Sequence, residues 1–491
     1  MSISFNQIPI NLRVPGAYLE IDNSQAVTGL GILPAKALVI GQMLPIGTGE
    51  ALKATRILSN KQAIGLYGRG SMLARMLDKA KRANEFVELW AIPLADLPAG
   101  IAATGTIAVS GTATSAGMIS LLIAGRLVRI GVQAGQAATA TATAIVAAIS
   151  ADPDLPVTAA VDSETATLVN LTARHKGLCG NDLDIRLNYY RGDQTPAGLS
   201  LEVTAMTGGT GNPDIAPVFD AIGDEWFTDF VTPYSDAPNL DVLEDELASR
   251  FGPMRMIDGH AYAATGGTHG EISSVGESRN SPHLSMLGLS GSPTPAEEIA
   301  SVLGVVCAFA LANDPARPVQ TLTLPGVLAP ALEDRFSAAE RNLLLHSGIS
   351  TATVDAGGNV VIERVCTTYR ETATGLDDPS YLNIETLKTL TYLRYDTRTF
   401  FWRKYPRHKL ADDGTRFGPG QPVMTPKVAK AELVGRFILW EEAGLVEGRE
   451  QFKADLYVER DGSDKDRLNA IIPPDIINQL RVFAGLVQFR L

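Results

Sequence analysis

The stretch PAKALVIGQ, residues 34–42, contains a short continuous apolar run, ALVIG at 37–41. A run of this length is typical of a buried strand. A second run of the same kind, FVELWAI, follows at residues 86–92. Between the two, Ser71 is a suitable N-cap for a helix whose apolar face consists of Leu73, Met76, Leu77 and Ala80. The order strand, helix, strand predicts an α/β domain.

The same alternation of strands and helices resumes after residue 217. A helix that carries Leu240, Leu243 and Leu247 ends at Gly252, and a second helix begins with a capping box at Thr294. The strand candidates are FTDFVTPY (227–234), MRMID (254–258), HLSMLGL (283–289) and QTLTLPG (320–326). We therefore predict the fold class α/β (α+β overall) in a multidomain chain. Its core domain is discontinuous and takes in residues 25–97 and 217–336.

Residues 98–216 separate the two halves of this core and differ from them in composition. Alanine, threonine and glycine dominate, and runs such as TIAVSG, RLVRIGV and LSLEVTA favour strands. One helix is predicted near residues 143–149. The glycine-rich stretch TGGTGNP at 207–213 is a suitable linker back to the core. We predict an inserted, β-rich outer domain over 98–216.

The remainder of the chain is predicted to form a C-terminal α+β domain over residues 337–480. Ser337 and Glu340 make a second capping box, and helices are predicted at 384–402 and 427–443. Both ends of the chain show the period-two alternation of strands, so residues 1–24 and 481–491 are predicted to be extended arms. The two prolines at positions 9 and 15 exclude a central strand and favour an edge strand or an arm. The apolar positions of the two arms are Ile3, Phe5, Ile8, Ile10, Leu12 and Val14, and Leu486, Val487, Phe489 and Leu491.

Charge and length restrict the possible functions. The 491 residues include 54 acidic and 42 basic side chains, a net charge of −12, which disfavours general nucleic-acid binding. The three cysteines fit no disulfide framework or zinc pattern. The N-terminus lacks the features of a signal peptide. The longest uncharged apolar run, 299–312, is 14 residues, shorter than the ~20 that a membrane helix needs, so we predict a core helix and no membrane insertion.

No catalytic, cofactor-binding or metal-binding constellation is found in the sequence. GQMLPIGTGE (41–50) and GLYGRG (65–70) are glycine-rich, but neither has the lysine and hydroxyl of a phosphate-binding loop. The six histidines match no metal spacing, although Asp258 and Glu271 lie close to the Gly/Thr loop that His260 and His269 flank, which could host a metal or a general base. No GxSxG nucleophile elbow is present. Ordinary turns explain the glycines, and we predict no enzyme activity and no cofactor.

Two charged segments stand out. Residues 220–246 hold nine acids, which indicates either a solvated face or a surface for a basic partner. The segment 388–409 is basic, with Asp396 as the opposing acid, and is suited to docking on an acidic surface. Stacking of a nucleic acid on Phe400 and Trp402 is the alternative, but helix packing explains these aromatics more simply. The basic residues proposed for docking are Arg394, Arg398, Arg403 and Lys404.

Several stretches, in order along nearly the whole chain, closely resemble the Mu-like contractile-tail sheath proteins. They are ISFNQIPINLRVPGAYLEIDNSQA (3–26), PAKALVIGQ (34–42), NLTARHKGLCGNDLDIR (170–186), SRNSPHLSMLG (278–288), AERNLLLHSGIST (339–351), VVIERVCTTY (360–369) and NQLRVFAGLVQFRL (478–491). None of these is a catalytic signature, and together they are specific.

The resemblance implies a structural protein. Its subunits would form stacked hexameric rings around a tail tube, and contraction of the sheath would drive the tube through the host envelope. The implied partners are further copies of the chain, the tail tube protein, and the baseplate and tail terminator proteins. The implied location is the tail of the virion, after assembly in the host cytoplasm. The arms would exchange strands between subunits, and the basic helix residues would face the tube. A sheath of a phage-derived bacteriocin or other injection device is the alternative, and an α/β hydrolase-like enzyme is a weaker one.

Overall fold

The structure is a computed structural model that describes residues 35–490. Of the residues before 35, it describes only Val14, Gly16 and Leu33. The described residues fall into two compact units. The larger unit, which we call the core unit, takes in residues 35–313 and 319–384. The smaller one, the C-terminal unit, takes in residues 314–318 and 385–490.

The first part of the core unit alternates strands and helices as predicted. Its elements are β1 (Lys36–Gln42), β2 (Thr55–Arg56), α1 (Asn60–Tyr67), α2 (Met72–Ala83) and β3 (Glu88–Leu94). Ser71 caps α2, since its hydroxyl accepts a hydrogen bond from the Ala74 amide. This cap confirms the helix start that the sequence indicates.

The inserted region follows β3 and is mostly β-structure. Its elements are β4 (Ala102–Gly111), β5 (Gly117–Ile123), β6 (Arg126–Val132), α3 (Ala138–Ala151), β7 (Val157–Val161), β8 (Leu168–Lys176), β9 (Ile185–Leu187) and β10 (Leu199–Thr207). Four strands form one antiparallel sheet in the order β10-β4-β8-β7, and three form a second in the order β6-β5-β9. Helix α3 packs with both sheets on a hydrophobic cluster that belongs to this region alone.

The chain then returns to the core sheet. The elements are α4 (Ala216–Ile222), β11 (Asp229–Val231), α5 (Ala237–Phe251), β12 (His260–Thr265), α6 (His269–Glu277), β13 (Leu284–Gly288), α7 (Ala296–Asn313), α8 (Ala338–His346), β14 (Ile349–Val354) and β15 (Val360–Arg364). The eight-stranded core sheet has the order β15-β14-β13-β12-β11-β1-β3-β2. The six adjacent strands from β14 to β3 all pair in parallel. If these six strands are numbered 1 to 6 along the chain, their spatial order from β3 to β14 is 2-1-3-4-5-6. This is a doubly wound arrangement whose switch point lies between β1 and β11.

Apolar clusters cover both faces of this sheet. Strands β12 and β13 are buried along their whole length, as expected for parallel strands with helices on both sides. One cluster joins the sheet to α1, α2 and α7, and the other joins it to α4, α5, α6 and α8. This arrangement confirms the α/β class that the sequence predicts for the core.

Helix α7 is the predicted core helix. Within the described part of the chain it is the one helix long and apolar enough to cross a membrane, with a mean hydropathy of 1.5 over 18 residues. Two thirds of it are buried, and its apolar side chains pack in the core cluster. Packing against the sheet accounts for its composition.

Three sequence predictions differ from the structure. The segment 254–258 is a turn and coil, and the strand begins at His260, where the chain first reaches the sheet. Residues 320–326 form no strand of their own, but lie along the outer edge of β15. The strands at 349–364, assigned by sequence to a C-terminal domain beginning at 337, belong to the core sheet because β14 pairs in parallel with β13.

The C-terminal unit is built on three helices and short strands. Its elements are α9 (Ile384–Lys404, whose first residue belongs to the core unit), β16 (Lys409–Leu410), β17 (Val423–Met424), α10 (Pro426–Glu442), β18 (Val446–Glu447), α11 (Arg449–Asp455), β19 (Tyr457–Arg460), β20 (Leu468–Ile471) and β21 (Asp475–Ile476). The strands form three two-stranded sheets, β16-β17, β18-β21 and β19-β20. The apolar core of the unit surrounds Phe437 and Trp440, and Phe437 stacks on Phe452 with ring centroids 4.1 Å apart.

Candidate interaction surfaces

The carboxyl ends of the parallel strands form the place where doubly wound folds bind ligands, outside the switch point. Here the chain itself fills that place. The side-chain Nε2 of Gln42, at the end of β1, donates to the Asp96 carboxylate (2.8 Å) and to the main-chain carbonyl of Lys176 (2.8 Å). Lys176 is the last residue of β8, so the inserted region lies directly in the crevice.

His175 completes this contact. Its Nε2 accepts a hydrogen bond from the Met72 amide at the first residue of α2 (3.0 Å), and its Nδ1 lies 2.7 Å from Asp96 Oδ1. The amide at a helix N-terminus is the group that binds a phosphate in nucleotide-binding relatives of this topology. In this chain the corresponding amide, that of Met72, is hydrogen-bonded to the His175 imidazole. In the described part of the chain, residues of the inserted region therefore occupy the switch-point crevice.

Cys179 contacts the segment that follows β11, at the same edge of the sheet. Its Sγ donates to the carbonyl of Pro233, just beyond β11. Desolvation, and then the nearby carboxylates, raise the pKa of this thiol well above its ordinary value. The thiolate that nucleophilic chemistry requires is therefore disfavoured.

The glycine-rich stretch at 41–50 makes turns, as predicted. The amides of Thr48 and Gly49 donate to the carbonyls of Gly65 and Leu66. A side chain on Gly47 would place its Cβ 2.3 Å from the Leu66 carbonyl oxygen, so two backbones pass too closely for any other residue. These amides are already hydrogen-bonded within the chain and do not form a phosphate cradle.

The histidines act as structural residues. His260 is buried, with Nε2 2.9 Å from the Ser285 hydroxyl, and His269 Nε2 lies 3.1 Å from the carbonyl of Glu340. Among the described residues, no group of three or more His, Cys, Asp or Glu side chains is placed to hold a metal ion.

The acidic run at 220–246 is largely neutralised inside the core unit. Basic residues from elsewhere pair with its carboxylates: Lys36 with Glu225, Arg255 with Asp224 and Glu246, Arg250 with Glu246, and Arg279 with Asp241 and Glu244. Asp229 is buried and accepts a hydrogen bond from the Tyr262 hydroxyl (3.1 Å). The run therefore contributes less to a surface for a basic partner than its sequence indicates.

Glu244 in this run gives a testable pH dependence. Desolvation raises its pKa from 4.5 to about 7, against the opposing effect of Arg279, and its Oε1 is buried without a hydrogen-bond partner among the described groups. Because the folded-state pKa is above the unfolded value, ionisation of Glu244 destabilises the fold as pH rises from 4.5 through 7.

We expect E244Q to raise the thermal transition at pH 8 by roughly 2 °C and to change it little at pH 4.5. The shift corresponds to a gain of ~1 kcal/mol in the free energy of unfolding, after allowance for solvent screening of Glu244. Calorimetry at the two pH values measures this. The exposed neighbour Asp245 supplies the control D245N, and an equal shift of E244Q at both pH values would contradict the prediction.

The four basic residues proposed for docking all lie on α9 or its last turn, but not on one stripe. At about 100° per residue, Arg394 and Arg398 share a face, whereas Arg403 points about 180° away from Arg394. Arg398 and Arg403 are exposed, and Arg394 is half-buried. Lys404 pairs with Glu432 of α10 (2.9 Å), so its charge is compensated within the unit. The structure thus brings Arg394 and Arg398 together and separates the other two.

Asp396, the acid that opposes these residues in sequence, is turned into the core of the unit. It is buried, it forms an ion pair with Arg436 of α10, and it accepts a hydrogen bond from Trp440 Nε1 (2.8 Å). This buried group is missed by the sequence analysis, although a single acid in a basic helix is the signal that could have indicated it. Because Asp396 points into the core of the unit, it does not lie on the face of α9 that carries Arg394 and Arg398.

The C-terminal arm is extended away from the unit. Residues 482–490 form no helix or strand within the described chain. Its large apolar side chains are among the most exposed in the structure: Val482, Phe483, Leu486, Val487 and Phe489 are 78–89% exposed. Ile3, Phe5, Ile8, Ile10, Leu12 and Leu491 lie outside the described residues, and Val14 is 63% exposed. The strand exchange proposed for these positions stays a prediction.

Open sheet edges are found in the C-terminal unit rather than in the core sheet. The outer edge of β15 is covered by residues 321–324, whose main chain exchanges hydrogen bonds with Val360 and Ile362. The opposite edge, β2, is two residues long. By contrast, β19 and β20 form a hairpin with no third strand in the described chain, and its paired ends Tyr457 and Ile471 are exposed. A two-stranded sheet is marginally stable alone, so this hairpin is suited to accept a further strand.

Comparison with known proteins identifies the family. The phage tail sheath protein central domain matches residues 208–368, and the phage tail sheath C-terminal domain matches residues 377–490. The chain is 44% identical, over 489 residues that cover 100% of both proteins, to the Mu-like prophage FluMu tail sheath protein of Haemophilus influenzae.

Similar solved structures carry the same kind of description. The sheath tail protein of Desulfitobacterium hafniense has 12% identity and a TM-score of 0.48, and the match covers 94% of this chain and 100% of that one. The helical sheath of the anti-feeding prophage in its contracted state has 12% identity and a TM-score of 0.49, with 98% and 99% covered. The full-length identity to the Haemophilus protein and the two matching sheath domains place this chain in the phage tail sheath family, whose members are structural subunits of contractile tails.

Proposed function

We propose that the chain polymerises into stacked hexameric rings that form a helical sheath around a tail tube. Contraction of this sheath drives the tube through the host envelope and delivers the genome. The observation that supports the polymerisation best is the C-terminal arm, which exposes five large apolar side chains at 482–489. Such a segment is unfavourable in water and becomes stable when another chain covers it.

Strand addition to a neighbouring subunit is the proposed mode of assembly. An extended arm pairs its free amides and carbonyls with an open sheet edge, while alternate side chains pack on one face. The β19–β20 hairpin provides such an edge in every subunit. A contact of this kind is heterologous, so it generates rings or helical filaments rather than a closed dimer. The N-terminal arm, with Ile3, Phe5, Ile8, Ile10, Leu12 and Val14, is proposed to act in the same way.

The face of α9 that carries Arg394 and Arg398 is proposed to contact the tail tube. The spacing of Arg394 and Arg398, four residues apart on α9, supports this because it places both guanidinium groups on one face of the helix, whereas Asp396 pairs with Arg436 in the core of the unit. Each exposed ion pair contributes only about 0–1 kcal/mol, but every ring repeats the contact. Arg403 and Lys404 are expected to contribute less, since Arg403 lies on another face and Lys404 pairs with Glu432.

Further partners follow from the proposed role. The sheath is expected to end at baseplate and tail terminator proteins, to assemble in the host cytoplasm and to become part of the virion. No nucleic acid, membrane insertion or cofactor is needed for it. The presence or absence of capsid genes beside its own gene separates a phage tail from a bacteriocin-type particle.

Electron microscopy of the purified chain, with and without its tube protein, tests the proposal. We expect striated tubes, and we expect R394E/R398E to lower the fraction of tube covered by sheath several-fold at low salt, with a smaller difference at high salt where charges are screened. Dispersed globules under all conditions would contradict the polymerisation. Unchanged coverage of the tube by R394E/R398E at low salt would contradict only the assignment of this face. The matched control is R416E, since Arg416 is exposed on the loop between β16 and β17.

A further inference from the structure

Arg481 is the last described residue that is held on the C-terminal unit before the C-terminal arm. Before it, the chain is tied to the C-terminal unit: the Ile477 amide donates to the Leu445 carbonyl (3.2 Å), and the Gln479 side chain donates to the carbonyl of Ala316 (3.3 Å). The side chain of Arg481 is 15% exposed, although its neighbours Leu480 and Val482 are 79% and 78% exposed, and every described residue beyond Arg481 is exposed. The boundary between the unit and the arm therefore lies between Arg481 and Val482.

A buried ion pair holds the chain at this boundary. Arg481 Nη2 lies 2.8 Å from Oε2 of Glu385, whose side chain is fully buried in the first turn of α9. A carboxylate in the first turn is also favoured by the helix dipole. Since both charges are largely removed from water, loss of Glu385 leaves the guanidinium group of Arg481 buried without this countercharge, which is strongly unfavourable.

The guanidinium group is held by charge rather than by a network of hydrogen bonds. Its three nitrogens are buried, and none has a hydrogen-bond acceptor of good geometry within the described residues. A guanidinium with five N–H donors is an expensive group to bury for packing alone. Its position at the root of the arm, where it is the last described side chain that is not exposed, indicates a role in directing the arm.

We propose that Arg481 and Glu385 anchor the root of the C-terminal arm, so that the arm leaves each subunit in a fixed direction and pivots only beyond Arg481. This inference rests on the proposed strand exchange and specifies how it is controlled. The partner is a second copy of this chain. Fixing the root reduces the conformational freedom that the arm loses when it pairs with the neighbour, and so favours assembly.

Two measurements on R481M test the anchor. In the monomer, hydrogen exchange at the Ile477 amide is expected to become at least tenfold faster, because the segment 476–481 loses its hold on the unit. During assembly, the initial rate of the light-scattering increase is expected to fall at least tenfold. The charge-swapped variant R481E/E385R is expected to recover most of both losses, and R416M, the same substitution on an exposed loop, is expected to change neither.

The outcomes separate this inference from the proposed function. Wild-type exchange and wild-type assembly rates for R481M would overturn the anchor. If R481M does not fold, as judged by circular dichroism, then E385Q and R481K replace it; tenfold faster exchange in E385Q, with R481K close to wild type, is the expected result, and wild-type exchange in E385Q overturns the anchor. A chain that lacks residues 482–491 and still forms tubes would contradict strand exchange, while the exchange data on monomers would still decide the anchor.

Discussion

Deletion of residues 482–491 is expected to abolish tube formation and to leave both compact units folded. The described residues of this arm, 482–490, form no strand or helix and bury little apolar surface in their own chain, so the folded monomer loses few contacts. The assembly loses much more. Covering a side chain such as Phe483 or Val487 on a neighbour contributes about 1.5–3 kcal/mol, and five such side chains are available.

The expected loss is large because these contributions are of about the same size as the cost of ordering the arm, so the arm binds only when they act together with the main-chain hydrogen bonds of the added strand. Fixing each backbone residue costs about 1–2 kcal/mol, so an arm of nine residues must bury most of its apolar groups to bind at all. Partial truncation should therefore be nearly as damaging as complete deletion. We expect V487D/F489D, which places two charges on the arm, to prevent tubes as effectively as the deletion.

Sedimentation and electron microscopy measure assembly, and thermal unfolding followed by circular dichroism measures the fold. The truncated chain should sediment as a small species at concentrations where the full chain forms tubes, with an unfolding transition within about 2 °C of the full chain. K465A on the exposed turn between β19 and β20 is a suitable control for a surface change. Tubes of normal striation from the truncated chain would show that the arm is not the assembly element. The N-terminal deletion of residues 1–20 is expected to behave in the same way.

The sequence predicts the α/β class and several elements of the core unit because local signals and tertiary structure agree there. The continuous apolar run at 37–41 becomes the fully buried strand β1, and the Ser71 cap begins α2 as expected. The apolar run at 299–312 lies in α7 at the centre of the sheet packing. In each case a single stretch contains the information, namely its hydrophobic period and its cap.

The features that were missed depend on residues far apart in the sequence. Strand β14 belongs to the core sheet through its pairing with β13, more than 60 residues earlier, and no local pattern records that partner. The filled crevice depends on His175 meeting the first turn of α2, 103 residues away. The acidic run at 220–246 has a surface pattern, but its neutralising bases, such as Lys36, come from other elements. The ends of the chain pose a different problem, since their proposed partner is another molecule.

Replacing Asp396 by alanine is expected to give the largest loss of stability of any single change in the C-terminal unit. The carboxylate is buried between α9 and α10, and it is the charge partner of the buried Arg436 and an acceptor for Trp440 Nε1. Removing it leaves a guanidinium without its countercharge and an indole N–H without its acceptor. Breaking a buried pair in this way costs about 3–5 kcal/mol.

Substitution of both partners should cost less than substitution of Asp396 alone, because the penalty of D396A comes mainly from the uncompensated charge rather than from the lost attraction. The guanidinium of Arg436 also lies over the Phe400 ring, 4.8 Å from its centroid, so an apolar side chain at 436 would retain packing on that ring. We therefore expect D396L/R436M to recover a substantial part of the stability that D396A loses. For a unit of roughly 100 residues, 3–5 kcal/mol corresponds to a transition lowered by more than 10 °C, which calorimetry resolves.

D412A, which removes an exposed carboxylate 3.3 Å from Arg460, should shift the transition by no more than a few degrees. If D396A and D412A were equally mild, the buried pair would not be what joins α9 to α10. In that case the direction of the Arg394–Arg398 face would have to depend on the apolar contacts of Phe437 and Trp440 alone.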